Sequence, residues 1–117
     1  MRFLVVDDSK VSRLKIINLI KELGFDAIGE AGDGVEAVQK FVELKPDVIT
    51  MDYEMPNLDG SEASKQILAL NKDAKIILVT SMIGKKETLA ALKTGVKKIL
   101  QKPITLDDLS TAITEIE

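Results

Sequence analysis

Several short stretches of this chain end in side chains that carry charge or hold a labile proton. Val48 to Met51 is an apolar run set off by Pro46-Asp47 and by Pro56-Asn57-Leu58-Asp59-Gly60, and it delivers Asp52 to its end. Arg2 to Val6 leads into Asp7-Asp8, Lys75 to Thr80 ends on a hydroxyl, and Val96 to Leu100 is followed by Lys102. If these runs are strands of one parallel sheet, their carboxyl ends share one edge, where loops splay apart and ligands bind. Three carboxylates gathered there repel one another, and an all-oxygen set suits a hard divalent cation such as Mg2+. A cation beside Asp52, with the Lys102 ammonium and the Thr80 hydroxyl around it, can stabilise a transferring phosphoryl group, with Asp52 as the nucleophile. Taken singly, Asp7-Asp8 reads as a capping pair, Thr80 as an ordinary β-branched strand residue and Lys102 as a surface lysine. Their joint placement at several strand ends of one edge favours a site.

The elements that must position these residues follow from the pattern. Ser9 is suited to cap a helix from Lys10 to Leu23 that stops at Gly24. Phe25 to Gly29 reads as a second strand, and Asp33-Gly34 as a turn before a helix on which Val35, Val38 and Val42 recur until Pro46 ends it. Ala63, Ile67 and Leu70 mark a third helix, and Gly84 opens a fourth through Leu89 and Leu92 to Gly95. Leu106, Leu109, Ile113 and Ile116 stripe a last helix with Asp107, Asp108 and Glu115 on its other face. Five strands alternating with five helices predict an α/β, doubly wound parallel sheet covered on both faces.

Composition narrows the chemistry. The chain has 117 residues, 45% hydrophobic and 3% aromatic, so one domain over 1–117 with an aliphatic core is expected. With no histidine and no cysteine, Ser-His and Cys-His nucleophile pairs, the usual zinc ligands and any disulfide framework are excluded. A net charge of -3 argues against general nucleic-acid binding. No apolar run approaches the roughly 20 residues needed to span a bilayer. The first residues read as a strand rather than a signal peptide, and a cytoplasmic protein is expected.

VVDD (Val5 to Asp8), TMDYEMPNLDG (Thr50 to Gly60), Thr80-Ser81 and Lys102-Pro103 together resemble the receiver domains of two-component response regulators, over the whole of the chain. The resemblance implies a flavodoxin-like strand order, 2-1-3-4-5. It also implies that Asp52 accepts a phosphoryl group from the phosphohistidine of a sensor kinase or phosphotransfer protein. Asp8 and Asp52 would ligate Mg2+, Asp7 would act mainly through water, and the Glu54 backbone carbonyl would complete the protein's share. Lys102 would neutralise phosphoryl oxygens, Thr80 would move inward as the switch, and the peptide before Pro103 would be cis. Phosphorylation adds charge and acceptor oxygens, so Thr80 is expected to gain a partner that it lacked before. Receivers commonly carry Tyr or Phe three residues before the lysine; Ile99 stands there, so a smaller or differently routed change is expected.

The expected role is a signalling module acting through protein contacts on the face of the fourth helix, fifth strand and fifth helix, with chemotaxis as the pathway. A phosphorelay intermediate and a receiver excised from a longer transcriptional regulator are the alternatives. From Lys85 to Lys102 there are six lysines and one acid, Glu87, either a solvated face or a dock for an acidic partner. A haloacid-dehalogenase-like phosphatase would need a D-x-D pattern after the first strand, where Asp7-Asp8-Ser9 lacks that spacing. A flavin or nucleotide module would need glycines there.

Overall fold

The computed structural model describes residues 1–81 and 84–117, apart from the side chains of Lys85 and Glu87. Its elements alternate: β1 (Arg2–Val6), α1 (Lys10–Glu22), β2 (Asp26–Ala31), α2 (Gly34–Leu44), β3 (Val48–Asp52), α3 (Gly60–Leu70), β4 (Lys75–Thr80), α4 (Lys85–Lys93), β5 (Lys98–Gln101) and α5 (Leu106–Ile116). The five strands run parallel in the order β2-β1-β3-β4-β5. Among the described residues, no helix is long and apolar enough to cross a membrane.

Unbroken apolar runs form the central strands because helices cover both faces and every second side chain goes to each. Leu4, Val6, Ile49, Met51, Ile76 and Leu78 pack against Ala37 and Phe41 of α2, Ala63 and Ile67 of α3, and Ala91 of α4. Phe3, Val5, Val48, Ile77 and Val79 pack on the opposite face against α1 (Ile16, Ile17, Ile20) and α5 (Leu109, Ala112, Ile113). Burial of a single such side chain contributes about 1.5–3 kcal/mol, so the sheet position of each strand is fixed by its two apolar faces.

Apart from α4, which opens on Gly84 without a side-chain cap, the helix starts are set by side-chain caps. Ser9, Asp33 and Asp59 accept from the backbone N–H groups of Ser12, Glu36 and Glu62, and Thr105 and Asp108 form a reciprocal capping box. Asp33 therefore opens α2 rather than forming a separate turn with Gly34.

Two strands differ from the sequence expectation. β2 covers Asp26–Ala31 rather than Phe25 to Gly29, because a register shift between Phe3 and Leu4 skips Ile28 and pairing continues to Val6↔Ala31. β5 starts two residues later than Val96, because its ladder begins at Ile77↔Lys98 and ends at Thr80↔Gln101. That later end places Lys102 one residue beyond the strand.

Candidate functional site

The register of the sheet brings the acids together. Val6 lies opposite Met51, so Asp7, one residue on, reaches the same edge as Asp52, the last residue of β3. Asp7 is fully buried, Asp52 is 3% exposed, and Asp8 points to solvent. Each of the three offers a carboxylate oxygen, and these oxygens lie within 4.8 Å of one another. Lys102 reaches in from the end of β5, with Nζ 2.9 Å from Asp7 Oδ2 and 3.2 Å from Asp52 Oδ1. Its backbone is held by Lys102 N donating to Thr80 O at 2.8 Å, and the Lys102–Pro103 peptide is cis.

Hydrogen bonding divides the two buried acids. Asp7 Oδ1 accepts from Ser9 N at 2.9 Å, and Oδ2 accepts from Ser12 Oγ at 2.5 Å and from Lys102 Nζ. Burial alone would raise the Asp7 carboxyl, but the bonds from Ser12, Lys102 and the Ser9 N–H hold it below its ordinary value. Asp52 lacks such support. Its Oδ1 is buried without a hydrogen-bond partner among the described residues, and Lys102 meets it as an ion pair at 3.2 Å. Burial, then the Asp7 charge, push Asp52 up to about 7 against the pull of Lys102, with Glu54 adding to the rise. Burial would lower the Lys102 ammonium, but its bond to Asp7 and the charges of both acids raise it. The resting site thus keeps Asp7 ionised beside the ammonium and makes ionisation of Asp52 costly until more positive charge arrives.

Thr80 closes β4 and is 5% exposed. Its hydroxyl donates to Glu54 Oε1 at 2.8 Å. This corrects the expectation that the hydroxyl lacks a partner before phosphorylation: the β3–α3 loop carries the exposed Glu54 side chain back over the end of β4. Ile99 pairs opposite Leu78, on the same face of the sheet as Thr80, and packs half-buried against the cluster beneath α2, α3 and α4.

A family model for the response regulator receiver domain matches residues 3–114. The chain belongs to this family. The receiver is 38% identical over 113 residues to the chemotaxis protein CheY of Listeria monocytogenes, covering 97% of this chain and 95% of that one. It superposes with a TM-score of 0.96 and 26% identity on a chain of the CheX-CheY-BeF3-Mg2+ complex from Borrelia burgdorferi, covering 99% of this chain and 88% of that one. The response regulator domain of Thermotoga maritima CheB is similar at 40% identity and a TM-score of 0.85, over 99% of this chain and 92% of that one.

The receiver's donor set fits a hard cation. The three clustered side chains offer only carboxylate oxygens, and Asp52 carries a buried oxygen, Oδ1, with lone pairs to spare. Sequence reasoning missed three supports of this site. Ser12 bonds Asp7, and Arg13 ties α1 to both neighbouring strands, with Nη1 donating to Asp7 O at 2.6 Å and Nε to Glu30 Oε1 at 3.0 Å. Both sit in the first turn of a helix that starts just after the acid pair, the one sequence signal that pointed to them. Gly60 is the third: a Cβ there would lie 2.1 Å from the Asp52 carbonyl oxygen.

Proposed function

We propose that this receiver takes a phosphoryl group onto Asp52 and signals in its phosphorylated form. The observation that carries this is the buried, hydrogen-bond-free Asp52 oxygen held between the Asp7-Asp8 pair and the Lys102 ammonium. An Asp52 carboxylate oxygen attacks phosphorus while the bond to the donor breaks, P–N in a phosphohistidine or P–O in acetyl phosphate, and the donor keeps that electron pair. Lys102, already 3.2 Å from Asp52 Oδ1, turns its N–H groups to the arriving phosphoryl oxygens. Asp8 and Asp52 would hold Mg2+ directly, Asp7 through water, and Glu54 by its backbone carbonyl. Bound there, the ion supplies the positive charge that offsets carboxylate repulsion and the charge on the phosphoryl oxygens.

The protein turns over no external substrate; it promotes transfer to itself and its own hydrolysis. A sensor kinase or phosphotransfer protein is the donor, and the target docks on the face of α4, β5 and α5, where Leu89 and Leu92 are exposed. Full-length likeness to chemotaxis proteins supports a cytoplasmic chemotaxis role over relay or transcriptional output. The lysine-rich stretch from Lys85 to Lys102 contributes to that face, although the side chains of Lys85 and Glu87 lie outside the described residues. Incubation with acetyl phosphate and Mg2+ should add one labile phosphoryl group by intact mass, absent in Asp52→Asn and without Mg2+. A stable adduct, or one retained in Asp52→Asn, would overturn the assignment.

A further inference from the structure

The Thr80 hydroxyl has one hydrogen to give, and the structure shows it given to Glu54 Oε1 at 2.8 Å. A charged acceptor strengthens such a bond, and Thr80 itself is 5% exposed, so water competes poorly for that hydrogen. We propose that Glu54 is a positioning residue: its carboxylate holds Thr80 in the resting receiver, and phosphorylation works by exchanging the acceptor, from Glu54 to a phosphoryl oxygen. The inference rests on Asp52 as the phosphoacceptor and adds a role for the Glu54 side chain distinct from its backbone carbonyl.

Two effects drive the exchange in one direction. The Glu54 charge already acts on Asp52, where it disfavours the anion. A phosphoryl group brings nearly two charges to the same place, so repulsion moves the Glu54 carboxylate outward as the new oxygens offer Thr80 a better acceptor. Glu54 is exposed and sits in a loop, so it can leave without breaking packing. The resting bond opposes activation, because every receiver that takes the active arrangement must first give it up.

Reach and charge can be separated. Glu54→Gln keeps the reach and an acceptor oxygen but loses the charge, Glu54→Asp keeps the charge but is one methylene too short, and Glu54→Ala loses both. The readouts are the Thr80 methyl resonance in the unmodified protein and the BeF3- concentration needed, with Mg2+, for half conversion to the active form. Acceptor exchange predicts that Glu54→Asp and Glu54→Ala move the resting Thr80 signal toward its BeF3- position. In both, half conversion should need about fivefold less BeF3-, the scale of one hydrogen bond. Glu54→Gln should keep the wild-type Thr80 signal. If instead Glu54→Gln behaves as Glu54→Ala and Glu54→Asp as wild type, charge alone acts and the exchange is overturned. A resting Thr80 signal unmoved in all three variants also overturns it. Failure of wild type to bind BeF3- would reject Asp52 as acceptor, whereas the resting signal reports the Glu54 bond independently of that outcome.

Discussion

At the scale of single residues, the site is a division of labour between two buried acids with opposite surroundings. Asp7 collects three hydrogen bonds and stays ionised, while Asp52 collects none among the described residues and is pushed up to about 7 from an ordinary 3.8. Without metal, folded receiver therefore binds a proton at Asp52 that the unfolded chain has already released. The stability from this group is fully present below the unfolded value and is lost as pH rises toward about 7, a fall of at most about 4 kcal/mol. Asp7 acts in the opposite sense, but its lowered value confines its effect to pH below the ordinary carboxylate range. Urea unfolding in EDTA should show wild-type stability declining between about pH 4 and 7. Asp52→Asn should be flat across that window and the more stable protein at pH 8. Added Mg2+ should remove most of the decline, because the cation takes the place of the proton. A wild-type profile parallel to that of Asp52→Asn would show that Asp52 ionises normally.

The elements translate these side chains into a site through loop closures, and these divide into those that the sequence discloses and those that it hides. Asp7, Asp52, Thr80 and Lys102 were legible because each follows an apolar run, and parallel strands need only a common direction to align their ends. The end of β2 was not legible, because its bulge at Ile28 is fixed by pairing with β1 rather than by local pattern. The Thr80–Glu54 bond was hidden as well: it joins residues 26 apart through the course of a loop, which no periodicity encodes. Gly60 belongs to the same loop. Its N–H donates to Tyr53 O at 2.8 Å, folding the segment so tightly that α3 starts against the Asp52 backbone. A methyl group 2.1 Å from the Asp52 carbonyl oxygen must displace one or the other, and both are backbone-bound. Gly60→Ala should therefore cost about 1–3 kcal/mol in chemical denaturation. Acetyl phosphate labelling should slow more than stability alone accounts for, since the residue displaced is the acceptor itself. Wild-type labelling in a destabilised Gly60→Ala protein would show that α3 yields instead of β3.

Over the whole molecule, the two faces of the sheet separate the buried acids from Thr80. Asp7 and Asp52 follow the alternation of Phe3, Val5 and Val48, the face packed on α1 and α5, whereas Thr80 follows Ile76 and Leu78 toward α2, α3 and α4. Under the proposed function, a phosphoryl group on Asp52 would reach the α4 side through whatever moves with Thr80. Along β5 that face carries Gln101, opposite Thr80 and exposed, and the apolar Ile99, opposite Leu78 and half-buried in the cluster with Ala91 and Val96. A branched aliphatic side chain packed in this way can shift by a rotamer but cannot trade a buried for an exposed ring, so the volume exchanged is small. The β4–β5 join is stiffer, since Lys102 N is bonded to Thr80 O at 2.8 Å and the Thr80 backbone cannot move without that of Lys102. Activation by BeF3- and Mg2+ should therefore change amide exchange most at residues 80 and 101–102. Across the described amides of 84–100 the changes should be less than about tenfold, equivalent to about 1.4 kcal/mol in opening free energy. The Ile99→Tyr variant, which restores a ring, should widen the response over α4. Large and uniform changes over 84–100 in the wild type would instead mean that the whole α4–β5 segment repacks without an aromatic lever.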